Sequence, residues 1–255
     1  MKSRIFGGVF VASCLCGFLY ADIVTLNEAI NKAGRQRMLS QRMTKDYSMI
    51  GMKINFGNPQ EELKKSATLF SDTLMDLIKF AQVNDKPSHQ ALEEVKKLWD
   101  PLQKELLAKP SKEKAVATYE ATNNLLKAAH KATNAIAATS KESTGEIINI
   151  SGRQRMLSQR LASLYMLKVW QVDMDESELK KAMEQFTTAQ TKLESFPKNT
   201  DEIKKGLTAV DKDFMFFKVL GMSQSKRYIP SLIARSSNKI TGKMNEITKL
   251  YEAVQ

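Results

Sequence analysis

Apolar residues recur along this chain at helical spacing, and the breaks in that pattern carry Pro, Gly, Asn or Asp. Leu39, Met43, Ile50 and Ile54 trace one side of a first helix over about 23–56, which Gly57-Asn58-Pro59 ends. Leu63, Leu69, Phe70, Leu74, Leu77 and Ile78 line a second helix from Gln60 to Gln82. After a loop at 84–88, with Ser88 as N-cap, a third helix runs from His89 to Ala108 and holds Pro101 as a candidate kink. A fourth begins near Ser111 and carries Leu125, Leu126, Ala129 and Ile136. The order then repeats. A helix from Glu146 to Val172 leads to a turn containing Asp173 and Asp175. Glu178-Leu179-Lys180-Lys181 echoes Glu62-Leu63-Lys64-Lys65, Phe186 falls where Phe70 does, and Glu202-Ile203-Lys204-Lys205 echoes Glu94-Val95-Lys96-Lys97. A last helix runs from Pro230 to Ala253, and no stretch has strand alternation. The expected fold is all-α: two tandem antiparallel four-helix bundles, over 22–140 and 141–255, behind an N-terminal segment 1–21.

One stretch occurs twice. Gly34–Arg42 reads GRQRMLSQR, and Gly152–Arg160 reads the same. Identity here, with the flanks drifted apart, marks an internal duplication and a segment little free to change. At about 100° per residue, Asn31, Gly34, Arg37, Met38, Gln41 and Arg42 fall within an arc of roughly 140°, opposite Leu39 and Met43. A plain surface helix would not place Gly there, since it costs about 1 kcal/mol in a helix interior; Gly admits a ligand or a second backbone. The arginines supply planar, permanently charged donors suited to oxyanions, and the motif contains no Asp or Glu to neutralise them. The competing reading is a helix–helix packing motif whose arginines make salt bridges.

Asn31-x-Ala33-Gly34-x-x-Arg37-Met38-x-Ser40-x-Arg42 resembles the P-box of nitrate/nitrite sensor kinases of the NarX and NarQ type. It is more closely similar to the PilJ-type, NarX-like N-terminal sensor domain of chemoreceptor-like transducers, here in two tandem copies. Arg35 and Arg153 follow the PilJ-like form, and the second copy has Ser151 in place of the alanine. The resemblance implies that the motif lies on the first helix of a periplasmic four-helix bundle and that nitrate sits where two such helices meet. It implies Arg37 and Arg155 as the anion contacts, Gly34 and Gly152 as the point of close approach, and Met38 and Met156 as neighbours. Arg42 and Arg160 match a further arginine of the motif. The resemblance implies no cofactor and no catalysis. No second membrane helix, kinase or methyl-accepting region is visible, so a protein of this kind would pass its signal to a membrane sensor or chemoreceptor.

Composition narrows the picture. The 255 residues carry a net charge of +11, but the lysines alternate with acids as on solvated helix faces, which disfavours nucleic acid as a partner. Lys2 and Arg4 precede an apolar run from Ile5 to Tyr20 that ends at Ala21, the pattern of a secretory signal peptide, with a retained anchor as the alternative. Both cysteines, Cys14 and Cys16, lie within it, so a cleaved periplasmic product has no thiol chemistry. His89 and His130 have no metal-ligand spacing and read as surface residues; Ser40 and Ser158 have no base beside them; Phe214-Met215-Phe216-Phe217 reads as core. No Pro interrupts 111–172, so one long helix could run through both units; against this, a run of weak helix formers at 140–145 offers a break that would let the second bundle fold back beside the first. Side-by-side bundles would form one intramolecular oxyanion site, whereas end-to-end bundles would need a homodimer. A ligand-free interaction or dimerisation module, accessory to a transducer, is the other function these features allow.

Overall fold

The computed structural model describes residues 23–140, 143–221 and 228–253. The N-terminal segment, with its cleavage site and both cysteines, lies outside the described residues. The described residues form eight helices: α1 (Leu26–Gly51), α2 (Pro59–Asn84), α3 (Lys86–Leu107), α4 (Lys112–Ala138), α5 (Ser143–Val169), α6 (Ser177–Glu194), α7 (Asp201–Gly221) and α8 (Pro230–Glu252). None of them is long and apolar enough to cross a membrane.

Local chemistry sets the helix ends. Thr25 accepts the Glu28 N–H at 3.1 Å, and the Glu28 carboxylate reaches back to the Val24 N–H at 3.2 Å, so orphan donors at the start of α1 are met. Asp85, not Ser88, caps α3: its carboxylate accepts the Ser88 N–H at 2.8 Å, because the helix starts a turn earlier, at Lys86. α3 continues through Pro101 as one element. The two motif helices end alike. The Ile54 N–H reaches back to the Met49 carbonyl at 2.8 Å and the Val172 N–H to that of Leu167 at 3.0 Å, with Lys53 (φ 58°) and Gln171 (φ 57°) in the left-handed region. The duplication thus persists in the backbone where Lys53 and Gln171 no longer match.

Helices α1–α4 pack in a ring, as do α5–α8, and α1 lies along α5 as the most extensive helix pair. The bundles are therefore side by side. Each core centres on a Phe: Phe70 against Trp99 at 4.3 Å, and Phe186 stacked on Phe214 at 4.1 Å. Gln36 on α1 donates to the Phe70 carbonyl at 3.1 Å and Gln154 on α5 to that of Phe186 at 3.2 Å, tying each motif helix to its own core. The run at 214–217 is split by helix geometry. Phe214 and Phe217 are buried, but Met215 and Phe216 are 52% and 44% exposed, since four consecutive residues cannot share one helix face.

The motif helices are buried nearly all round, one face in their own bundle and the other in the seam between bundles. Trp170, just beyond α5, closes the seam at one end. Its ring fills the space beside Gly51, where an added Cβ would lie 2.3 Å from it. The halves are not mirror copies. In one, Lys45 and Asp46 form a buried ion pair at 3.4 Å, and Lys45 also donates to Asn238 on α8 at 3.0 Å. The corresponding α5 positions are Ser163 and Leu164.

Candidate functional site: a paired-arginine seam

The seam is closest at the glycines: a Cβ built on Gly34 would lie 3.6 Å from the Gly152 Cα, and the converse distance is also 3.6 Å. Only residues without a side chain let two helices meet this way. Three residues on, each helix sends its arginine across. Arg37 Nη2 donates to the Asn149 carbonyl of α5 at 3.0 Å, and Arg155 Nη2 donates to the Asn31 carbonyl of α1 at 3.2 Å. The guanidiniums lie against the glycines, each Nη2 3.1–3.2 Å from where a Cβ would be. Gly34 and Gly152 thus admit each other's backbone, and the arginines' own heads fill the space beside them, where each finds a backbone carbonyl as acceptor.

Both guanidiniums have 0% exposure. Arg37 Nη1 meets His130 Nδ1 on α4 at 3.2 Å, and Arg155 Nη1 donates to Asn245 on α8 at 2.9 Å. The Nε of each has no hydrogen-bond partner among the described residues. Among the described residues no carboxylate comes within 4.0 Å of either group. Burial pushes both down to about 9; Arg153 adds repulsion at Arg37, and Arg35 and Arg37 add it at Arg155, where Glu252 partly offsets them. Two buried cations without a counter-charge are costly, and carbonyls, an imidazole and an amide compensate only in part.

The remaining motif residues divide. Met38 and Met156 are buried beside the arginines. Arg160 is not free: Nη2 pairs with Glu178 on α6 at 2.6 Å, and Nη1 donates to Asn123 at 2.8 Å and Gln41 at 3.3 Å. The absence of acids inside the motif did not extend to its neighbours, because Glu178 arrives from another helix. Arg42 is partly buried with an unpartnered Nε; burial lowers it, while Asp46 and Glu62 support its charge. Arg42 and Arg160 are thus set apart from the glycine crossing by their own carboxylate environment. The Ser40 and Ser158 hydroxyls donate to the Arg37 and Arg155 carbonyls, both at 2.8 Å, as helix-internal bonds.

Sequence reasoning missed His130 and Asn245. A single His on a fourth helix carries no spacing signal, and Asn245 carries none either; only packing brings them to the arginines. Burial, Arg37 and Arg153 push His130 down to about 4, so it is neutral at pH 7. Arg37 only donates, so His130 accepts at Nδ1 and carries its proton on Nε2; the Asn134 side-chain nitrogen 3.2 Å from Nε2 is also a donor and makes no hydrogen bond with that proton. This has a pH consequence. Below the ordinary pKa near 6.5 the unfolded chain takes up a proton that the folded His130 refuses until about pH 4, so its contribution is full above 6.5 and lost as pH falls to 4. Screening of the half-exposed ring limits the loss to about 1–2 kcal/mol. His130→Asn, which copies the Asn245 side, should flatten the stability–pH slope over that window in urea titrations; an unchanged slope refutes the assignment.

Comparison with curated proteins and with solved structures finds no match. Residues 23–130 and 136–213 match the PilJ family, Type IV pili methyl-accepting chemotaxis transducer N-term. The first match covers α1 to most of α4, and the second runs from the end of α4 into α7, so each contains one motif helix. With two copies spanning most of its length, this chain belongs to the PilJ family of chemotaxis-transducer sensor domains.

Proposed function

We propose that the protein is a non-catalytic sensor that takes up a small inorganic oxyanion between Arg37 and Arg155, with nitrate or nitrite as first candidate, and relays occupancy to a membrane chemoreceptor-like transducer. The observation that carries this reading is the pair of fully buried guanidiniums, facing each other across a glycine crossing with no carboxylate within 4.0 Å among the described residues. To admit a trigonal oxyanion, the guanidinium heads that fill the space beside the glycines exchange the Asn149 and Asn31 carbonyls for the anion, which also offers both orphan Nε groups a charge-assisted acceptor. Family membership supports a sensory role coupled to a transducer. The basic, apolar N-terminal stretch ending at Ala21 supports export to the periplasm. One intramolecular site, rather than a homodimer, fits the side-by-side bundles, since each motif face is covered by the other.

Calorimetric titration of the purified protein with nitrate, nitrite, sulfate and chloride tests this. At least one oxyanion should bind saturably, and Arg37→Ala or Arg155→Ala should each weaken it by about ten-fold or more. No saturable heat from any of them at millimolar concentration sinks the reading. The ligand-free alternative draws on one observation: every Nη atom of the pair already has a protein partner. In that case Arg37→Ala alters stability equally with and without oxyanion.

A further inference from the structure

A second feature lies outside the seam. A cleft of about 480 Å³ opens between α4, α5 and α6, where the first bundle meets the second. Its volume suits an organic molecule and is far larger than a bare inorganic oxyanion requires. Tyr119, Leu126 and Met156 supply an apolar wall. The charged groups on its rim sort into two kinds. Arg160 pairs with Glu178, and Lys181 with Asp175 and Glu178, so both acids are already engaged. Lys127 and Arg153 make no hydrogen bond or ion pair among the described residues. The cleft therefore presents two uncommitted cations beside an apolar surface, with its carboxylates spent internally. A zwitterion would find no free acid for its ammonium group.

Arg153 also stands where a neighbouring cleft of about 300 Å³ begins along α5 and α6, so the guanidinium can be approached from two sides. His130 lines the larger cleft and holds Arg37 through its other face. An anion beside Arg153 would relieve the repulsion that Arg153 exerts on both Arg37 and His130.

We propose that this cleft is a second ligand site, for a small organic monocarboxylate with an apolar or aromatic body. Its carboxylate meets Arg153 and Lys127, and its body lies on Tyr119, Leu126 and Met156. The proposal does not depend on an oxyanion in the seam.

The test uses the purified protein labelled at methionine methyl groups, with the Met156 resonance assigned through Met156→Leu. Butyrate and benzoate are titrated as probes, and benzamide serves as the neutral counterpart of benzoate. The Met156 methyl should shift saturably with at least one acid, benzamide should bind about ten-fold more weakly or worse, and Arg153→Gln should weaken the acid about ten-fold. Arg153 is partly exposed and unbonded, so this variant keeps its fold; Lys127→Gln should give a smaller loss in the same direction. The proposal is overturned by no saturable shift with either acid, by benzamide binding as well as benzoate, or by unaltered affinity in Arg153→Gln. A nitrate titration of the wild type separates the two sites: acid binding without nitrate binding leaves this cleft standing and removes the seam reading.

Discussion

Replacing Arg37 and Arg155 together by methionine should raise the unfolding midpoint in anion-poor buffer and at the same time abolish any stabilisation by nitrate. The two effects share one cause. In the empty protein each guanidinium has exchanged bulk water for one carbonyl, one side chain and an unpartnered Nε. Replacing a buried ion pair by apolar side chains of similar volume is often neutral or stabilising, by as much as about 1–4 kcal/mol, and two guanidiniums without a carboxylate have less Coulomb attraction to lose; methionine can follow the same path between the helices. His130 and Asn245 lose a donor, but both lie at the edge of the seam, where water can replace it. With ligand the order reverses: at a hundred times its dissociation constant an anion adds about 2.7 kcal/mol to the wild type and nothing to the variant. Thermal denaturation of both proteins across a nitrate series reads this as two crossing lines. A double variant less stable than wild type in anion-free buffer would show the arginines to be ordinary packing elements.

Phe186→Ala should cost about 3–5 kcal/mol, the range for deleting a buried aromatic ring. The ring is fully buried and stacked on Phe214 at 4.1 Å with 19° between planes. It also stands at the residue whose carbonyl accepts Gln154 from the motif helix, so loosening α6 frees that end of α5 as well. Phe216→Ala, on the same bundle but half exposed, should change stability by only about 0.5–1 kcal/mol. Urea unfolding of both variants measures the difference; similar losses would mean that the apolar periodicity does not mark the core. If the bundles unfold independently, Phe186→Ala should split the transition in two, and if the seam couples them it should shift the whole curve.

Periodicity, joined for α6 and α7 by the echo of the first unit, was enough to place the helices because each bundle helix buries a single stripe, and 3.6-residue spacing reports a single stripe well. It served the motif helices least. Helix α1 is covered on nearly every side, so its buried face includes Gln36, Arg37, Ser40 and Gln41, which no apolar pattern can flag. Those residues were legible only through the repeat, which singled out the segment by identity. The glycine crossing was also legible, since Gly inside a helix needs a reason. The partners of the motif were not. Glu178 lies on α6, His130 on α4 and Asn245 on α8, so their contacts with Arg160, Arg37 and Arg155 depend on how the bundles set against each other. Likewise the αL turns at Lys53 and Gln171 sit on residue types that do not announce a left-handed backbone.

Carrying both motif helices on one polypeptide has a consequence for how the seam responds. Where two identical chains must meet to build such a contact, dilution pulls it apart and the readout drifts with expression level. Here the partner helix is tethered, so assembly is first order and insensitive to protein concentration. Fusion also released the copies from symmetry, which is how one arginine came to face an imidazole and the other an amide. The two walls of the seam therefore differ, and the molecule's left side is chemically distinct from its right.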